Sequence, residues 1–129
     1  MSEAITKKKR PVFLDVTQVR MPVPAFVSIL HRISGVLLFL LVPFALCAAR
    51  AALSTEADFA QLQATLQSLP ARLVILLGGW ALLHHACAGI RFLLLDIHVG
   101  VELAQARRSS VVVLVASLVL TAALAVRLW

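Results

Sequence analysis

Of the chain's 129 residues, 61% are hydrophobic and only 14% are charged, against roughly 25% charged in an ordinary water-soluble domain. The length allows one domain, and with aromatics at 6% and no Tyr the apolar bulk comes from Leu, Val and Ala, which excludes a nucleic-acid module, a disordered tail and a large soluble enzyme. The net charge of +6 is no sign of a polyanion partner, because Lys7, Lys8, Lys9 and Arg10 alone supply four positives in a run that reads as a membrane-surface tag.

The segment 1–27 precedes the first apolar stretch. A basic run ahead of an apolar segment resembles a signal peptide, but Pro11, Asp15, Arg20, Pro22 and Pro24 intervene, and the stretch that follows is longer than a signal core. No ionised residue occurs between Arg32 and Arg50, between Arg72 and Arg91, or between Arg108 and Arg127. A hydrocarbon core of about 30 Å needs about 20 helical residues, so these runs predict spans over 28–53, 72–96 and 109–128. Each must be a helix, because a backbone in lipid has to satisfy its own hydrogen bonds and no period-2 alternation offers a closed barrel. The expected fold is all-α, a three-helix transmembrane bundle.

In the first connection, 54–71, Thr55 with Asp58 three residues on has the form of a helix cap, and Phe59, Leu62, Leu66 and Leu69 recur at helical spacing before Pro70 closes the segment. This predicts a short amphipathic helix on the outer surface, a connector with its apolar side against the bundle. Positive charge sets the direction. Lys7 to Arg10, Arg20 and Arg32 precede the first span and Arg91, Arg107 and Arg108 flank the 97–108 loop, so the N-terminus and that loop are expected in the cytoplasm and the C-terminus on the opposite side. Cys47 and Cys87 lie in uncharged apolar stretches and read as small buried hydrophobes rather than a disulfide.

Ionisable residues in or beside the apolar runs carry the functional information. At the start of the first span, SILHRISG places Ser28, His31 and Arg32 at i, i+3 and i+4, on one face at the cytoplasmic boundary. Arg32 is either a snorkelling anchor or, with Ser28 and His31, one side of a polar pocket for a quinone carbonyl or a carboxylate, with Gly35 admitting close packing. The second span, LLGGWALLHHACAGIRFLLLD, holds His84 and His85 near its midpoint. Neutral imidazole coordinates iron without adding charge to the bilayer core, which makes haem ligation the leading interpretation and interhelical hydrogen bonding the alternative.

Successive helical residues diverge by about 100°, so at most one of the pair is an axial ligand. Gly78, Ala81 and Gly89 lie at −7, −4 and +4 from His85, a smooth stripe on which a flat macrocycle could rest, whereas His84 shares its stripe with Trp80, Ala88 and Arg91. Gly78 and Gly79 equally suit a helix-packing surface. Arg91, about 9 Å nearer the cytoplasm than His85, could answer a haem propionate. His31 lies near the boundary and His98 in the 97–108 loop, so the second axial ligand is expected from a partner subunit. The third span offers only Ser109, Ser110, Ser117 and Thr121, residues suited to local or interhelical bonding.

RPVFLDV at 10–16, SILHRISG at 28–35 and HACAGIRFLLLD at 85–96 follow in order. Together they resemble the cytochrome b membrane-anchor subunits of succinate dehydrogenase over nearly the whole chain. The resemblance implies a subunit that is not catalytic alone, working beside a flavoprotein with FAD, an iron-sulfur subunit with its clusters, and a second hydrophobic anchor. It implies haem b with His85, four residues before the GIR glycine, as one axial iron ligand and a histidine of the second anchor as the other. It further places ubiquinone at Ser28 and Arg32 and the haem propionates near His31 and Arg32. One position departs from the family pattern: Phe92 stands where a histidine often follows GIR.

A haem-free structural anchor of a related quinone or fumarate oxidoreductase is the alternative, with His84 and His85 as packing donors. A small oligomeric transporter ranks below both, since no intramembrane carboxylate is present to relay protons. Nothing ahead of the first span reads as a transit-like presequence, so a bacterial inner membrane is expected.

Overall fold

The computed structural model describes residues 20–129, so the basic run 7–10 and the RPVFLDV motif lie outside the described residues. Four helices follow in order: α1 (Val23–Leu53), α2 (Glu56–Leu66), α3 (Leu69–Asp96) and α4 (Leu103–Leu128). Three of them, of 31, 28 and 26 residues, are long and apolar enough to cross a membrane. At 1.5 Å per residue each exceeds the roughly 30 Å of a hydrocarbon core. The chain is a multi-pass membrane protein, all-helical over the described residues.

The long helices overrun the uncharged sequence runs because their first turns form in the polar flanks. Pro22 caps α1 and its carbonyl accepts from the amides of Ala25 and Phe26 at 2.9 and 3.2 Å. Pro70 opens α3 instead of closing the α2 segment. The Ser68 hydroxyl accepts from the Ala71 amide at 3.4 Å, and a proline in the first turn sacrifices only an N–H that had no intrahelical partner. α2 is capped as its sequence predicts: the Asp58 amide donates to Thr55 Oγ1 at 3.1 Å, while Thr55 Oγ1 donates to Asp58 Oδ2 at 2.8 Å. Between α3 and α4 the chain reverses in six residues, with His98 and Gly100 in the left-handed region at φ 63° and 80°.

α3 is the central helix, packed on α1 along one side and on α4 along the other, while α2 lies across the end where α1 finishes and α3 begins. The apolar core is small, with Val27, Ala88 and Val113 each contributed by a different long helix. Ser34, His84, Arg91, Ser110 and Ser117 are also buried, while Phe39, Leu46 and Val126 point outward at 75%, 65% and 80% exposure. Lipid supplies no hydrophobic drive between helices, so small and polar residues line the contacts and large apolar ones face out. Gly79 illustrates the closeness: a β-carbon there would collide with the Leu124 side chain of α4. Both cysteines are free thiols, and Cys47 is exposed on the outside of α1 rather than buried, because that stretch of α1 has no neighbouring helix over it.

Candidate functional site

Helical geometry sends the two adjacent histidines of α3 to different neighbours. His85 faces α1. Its Nδ1 lies 3.1 Å from the carbonyl oxygen of His31 and 3.3 Å from Ser34 Oγ, and Ser34 Oγ itself donates to the same carbonyl at 2.9 Å. A carbonyl can only accept, so Nδ1 carries the proton, which leaves Nε2 as the nitrogen that could ligate. The His31 ring stacks on His85 with centroids 4.1 Å apart and planes 13° from parallel. Gly35 completes the seat: a β-carbon there would lie 3.0 Å from His85 Cε1.

His84 turns the other way, into the chain's own interior, and is fully buried. Its Nδ1 lies 3.3 Å from Ser117 Oγ on α4. Because Ser117 Oγ gives its proton to the Leu114 carbonyl at 3.0 Å, it accepts from His84. Trp80 stacks over the ring at 5.6 Å, and Nε2 has no hydrogen-bond partner among the described residues.

Arg91, seven residues on from His84, shares its stripe and also faces α4. Nε donates to Ser109 Oγ at 3.0 Å and Nη2 to the Ala106 carbonyl at 3.3 Å, leaving the side chain 6% exposed. It is not brought beside His85. The link between them is aromatic: the guanidinium carbon lies 5.3 Å from the Phe92 ring centre, and Phe92 packs 5.1 Å from the His31 ring. Phe92 thus fills the space between His31 and Arg91 with a ring that neither donates nor accepts.

Ser28, His31 and Arg32 occupy one end of α1 without converging on one point. His31 is half-buried in the seam with α3, Ser28 is half-buried a turn earlier, and Arg32 is exposed on the outside of α1. There it lines a shallow groove of about 250 Å³ with Ile33, Val36 and Leu37. The smooth stripe on α3 is likewise a packing seam with α1. A β-carbon on Gly78 would lie 2.9 Å from the Leu41 side chain and one on Gly89 3.7 Å from His31 Nε2.

Sequence reasoning missed Ser34 and the specific use of Ser109. Ser34 sits three residues after His31 in SILHRISG, so its place on the same face was readable, but its role depends on α3 lying alongside. No group of three or more His, Cys, Asp or Glu converges among the described residues. His31 stacks on His85 rather than opposing it, so the two rings do not form an axial pair.

The family described as "Succinate dehydrogenase/Fumarate reductase transmembrane subunit" matches residues 6–124. The chain is 35% identical over 122 residues to a succinate dehydrogenase cytochrome b556 subunit of Coxiella burnetii, covering 94% of this chain and 98% of that protein. It is 29% identical over 116 residues to the protein of the same name in Paracoccus denitrificans, covering 90% and 89% respectively.

Proposed function

Since the chain belongs to the succinate dehydrogenase/fumarate reductase transmembrane subunit family, we propose that it is a cytochrome b anchor, binding haem b through His85 and helping to form a ubiquinone site with Ser28 and Arg32. The observation that carries the haem reading is the bond from His85 Nδ1 to the His31 carbonyl. A metal-bound histidine characteristically donates its other ring N–H to such a fixed acceptor, which sets the tautomer and raises the basicity of the ligating nitrogen. His85 is also half-buried, whereas His84 is wrapped by Trp80 and Ser117. The residues therefore fit a haem-iron ligand, and the other iron ligand would come from a second hydrophobic anchor.

In the proposed assembly a flavoprotein with FAD and an iron-sulfur subunit oxidise succinate, and this chain does no chemistry alone. Haem b, when bound, supplies a one-electron carrier shared between the two anchors. His85 would hold the iron, with Gly35 and the stacked His31 ring seating His85, and His31 and Arg32 would serve the propionates. For Arg91 the bonds to Ser109 and Ala106 favour clamping α3 to α4 over the propionate contact that its sequence position offers.

Quinone reduction places developing negative charge on a ring oxygen. Arg32 lines an apolar groove, where a cation would stabilise that charge, while Ser28, a turn earlier on α1, would offer its hydroxyl only to a quinone that reaches both residues. Arg20 and Arg32 at the start of α1 with Arg107 and Arg108 at the start of α4 favour a cytoplasmic N-terminus in a bacterial inner membrane.

The test is a reduced-minus-oxidised spectrum of the detergent-purified complex at matched subunit content. The b-type signal is expected to vanish in His85→Ala and persist in His84→Ala. A signal that survives in His85→Ala overturns the ligand assignment, and no signal in the parent with soluble subunits attached leaves a haem-free anchor. Arg32→Leu is expected to lower succinate:quinone turnover while dye-linked succinate oxidation stays at the parental rate.

A further inference from the structure

We propose that the cavity roofed by α2 is a binding site for the phosphodiester headgroup of an anionic phospholipid, at the membrane surface opposite the end that carries Arg32 and Arg91. This inference rests on the membrane-spanning fold and not on the haem or quinone reading. The cavity, an open cleft of about 380 Å³, lies between α2, the start of α3 and the end of α4. Leu62, Leu66, Ile75 and Leu128 give it apolar walls, and Arg72, Arg127 and Gln63 supply donors.

Its depth follows from helix rise. Arg72 and Arg91 on α3, and Arg108 and Arg127 on α4, are each 19 residues apart, about 28 Å along a helix and close to the hydrocarbon thickness. Arg72 and Arg127 therefore meet at the same interface, at the level of lipid phosphates. Arg72 is half-buried and lines the cavity, and its guanidinium lies 5.9 Å from the Trp129 ring centre. Among the described residues neither arginine forms an ion pair within 4.0 Å. Two cations brought together without a carboxylate leave a positive site that an anion completes, and planar guanidinium groups match a phosphodiester through paired hydrogen bonds.

The walls decide between a free phosphate and a lipid. α2 turns Phe59, Leu62 and Leu66, at i, i+3 and i+7, toward the cavity, where they meet Ile75 and Leu128. A small inorganic anion gains nothing from those side chains. A phospholipid buries its glycerol and the first carbons of its acyl chains against them while its phosphate meets the arginines. The amphipathic α2 is thus the roof of a lipid site, beyond its part as a connector.

The experiment is native mass spectrometry of the delipidated, detergent-purified complex, titrated with micelles containing dioleoyl-phosphatidylglycerol or dioleoyl-phosphatidylcholine. The parent is expected to retain phosphatidylglycerol in preference to phosphatidylcholine. Arg72→Gln with Arg127→Gln should weaken that retention about twenty-five-fold, at roughly fivefold for each cation lost near an anionic lipid surface. Arg127→Gln alone, a change at an exposed residue, should weaken it about fivefold with the complex still assembled. Arg50→Gln removes a cation from the last turn of α1, outside the cavity, and should retain the lipid like the parent. Equal loss in Arg50→Gln, equal retention of phosphatidylcholine, displacement of the lipid by millimolar inorganic phosphate, or an unchanged double variant would each overturn the proposal.

Discussion

A single methyl group at Gly35 tests whether the seat of His85 is as tight as its geometry implies. A β-carbon there would lie 3.0 Å from Cε1 and 3.4 Å from Nδ1 of His85. Carbon atoms rest about 3.5–4.0 Å apart, so the ring has to retreat by about 0.5 Å or more. Nδ1 already lies 3.1 Å from its carbonyl acceptor, and a shift of that size away from α1 takes the pair beyond hydrogen-bond reach. In the helix interior alanine gains about 1 kcal/mol over glycine, while the overpacked contact costs about 1–3 kcal/mol. The net is a destabilisation of about 0–2 kcal/mol in global stability.

The larger effect is on the position of His85, the proposed haem ligand. Losing the acceptor behind a metal-bound histidine typically costs about 10–100-fold in metal affinity. Gly35→Ala is therefore expected to assemble normally, melt within a few degrees of the parent, and yet carry substoichiometric haem or a shifted α-band. Gly89→Ala is the matched control. Its β-carbon would sit 3.7 Å from His31 Nε2, an ordinary contact, so it should leave the haem spectrum unchanged. Haem per complex and the melting curve at matched subunit content are the two readouts. Parental haem content and spectrum in Gly35→Ala, or the same haem loss in Gly89→Ala, would refute the reasoning.

Three further outcomes follow from the same contacts. Arg91→Met removes the donors to Ser109 Oγ and the Ala106 carbonyl and should destabilise the α3–α4 contact by about 1–3 kcal/mol, read as a lower melting temperature of the complex in detergent. Ser117→Ala leaves His84 Nδ1 without its acceptor and should cost only about 0.6 kcal/mol, the usual scale for interhelical bonds in lipid, with no change in the haem spectrum. At α2 the Thr55 hydroxyl, and secondarily that of Ser54, holds the Asp58 carboxyl below its ordinary range. A carboxylate lowered on folding contributes stability above its unfolded value and loses it as pH falls through the folded one. Amide exchange over 56–66, corrected for intrinsic rate, should therefore accelerate below about pH 4, and Thr55→Ala should flatten that dependence.

The spans were legible because lipid imposes one solution: an uncharged run of about 20 residues has to satisfy its backbone internally. The Thr55–Asp58 cap was legible for a similar reason, since both partners lie three residues apart and need no tertiary contact. Pro70 was not. Proline ends one helix and starts the next with equal comfort, and the deciding feature is the Ser68 hydroxyl that caps α3. The glycine stripe on α3 was ambiguous in kind, because a surface smooth enough for a macrocycle is smooth enough for a helix, and α1 occupies it through Leu41 and His31.

The pair at 84 and 85 shows where such reading stops. Helical period alone separates the two rings by about 100°, but it does not say which ring meets which neighbour. That is decided on the other helices. α4 presents Ser117 where His84 arrives, and Trp80 on α3 covers the ring, so this histidine is enclosed inside the chain with only Nδ1 bonded among the described residues. α1 presents Gly35, Ser34 and a carbonyl where His85 arrives, and these hold the ring by Nδ1 while the residue stays half-buried. The proposed haem ligand needs both conditions, a fixed proton on one nitrogen and a ring that is not sealed inside the chain. Of the two histidines only His85 meets them.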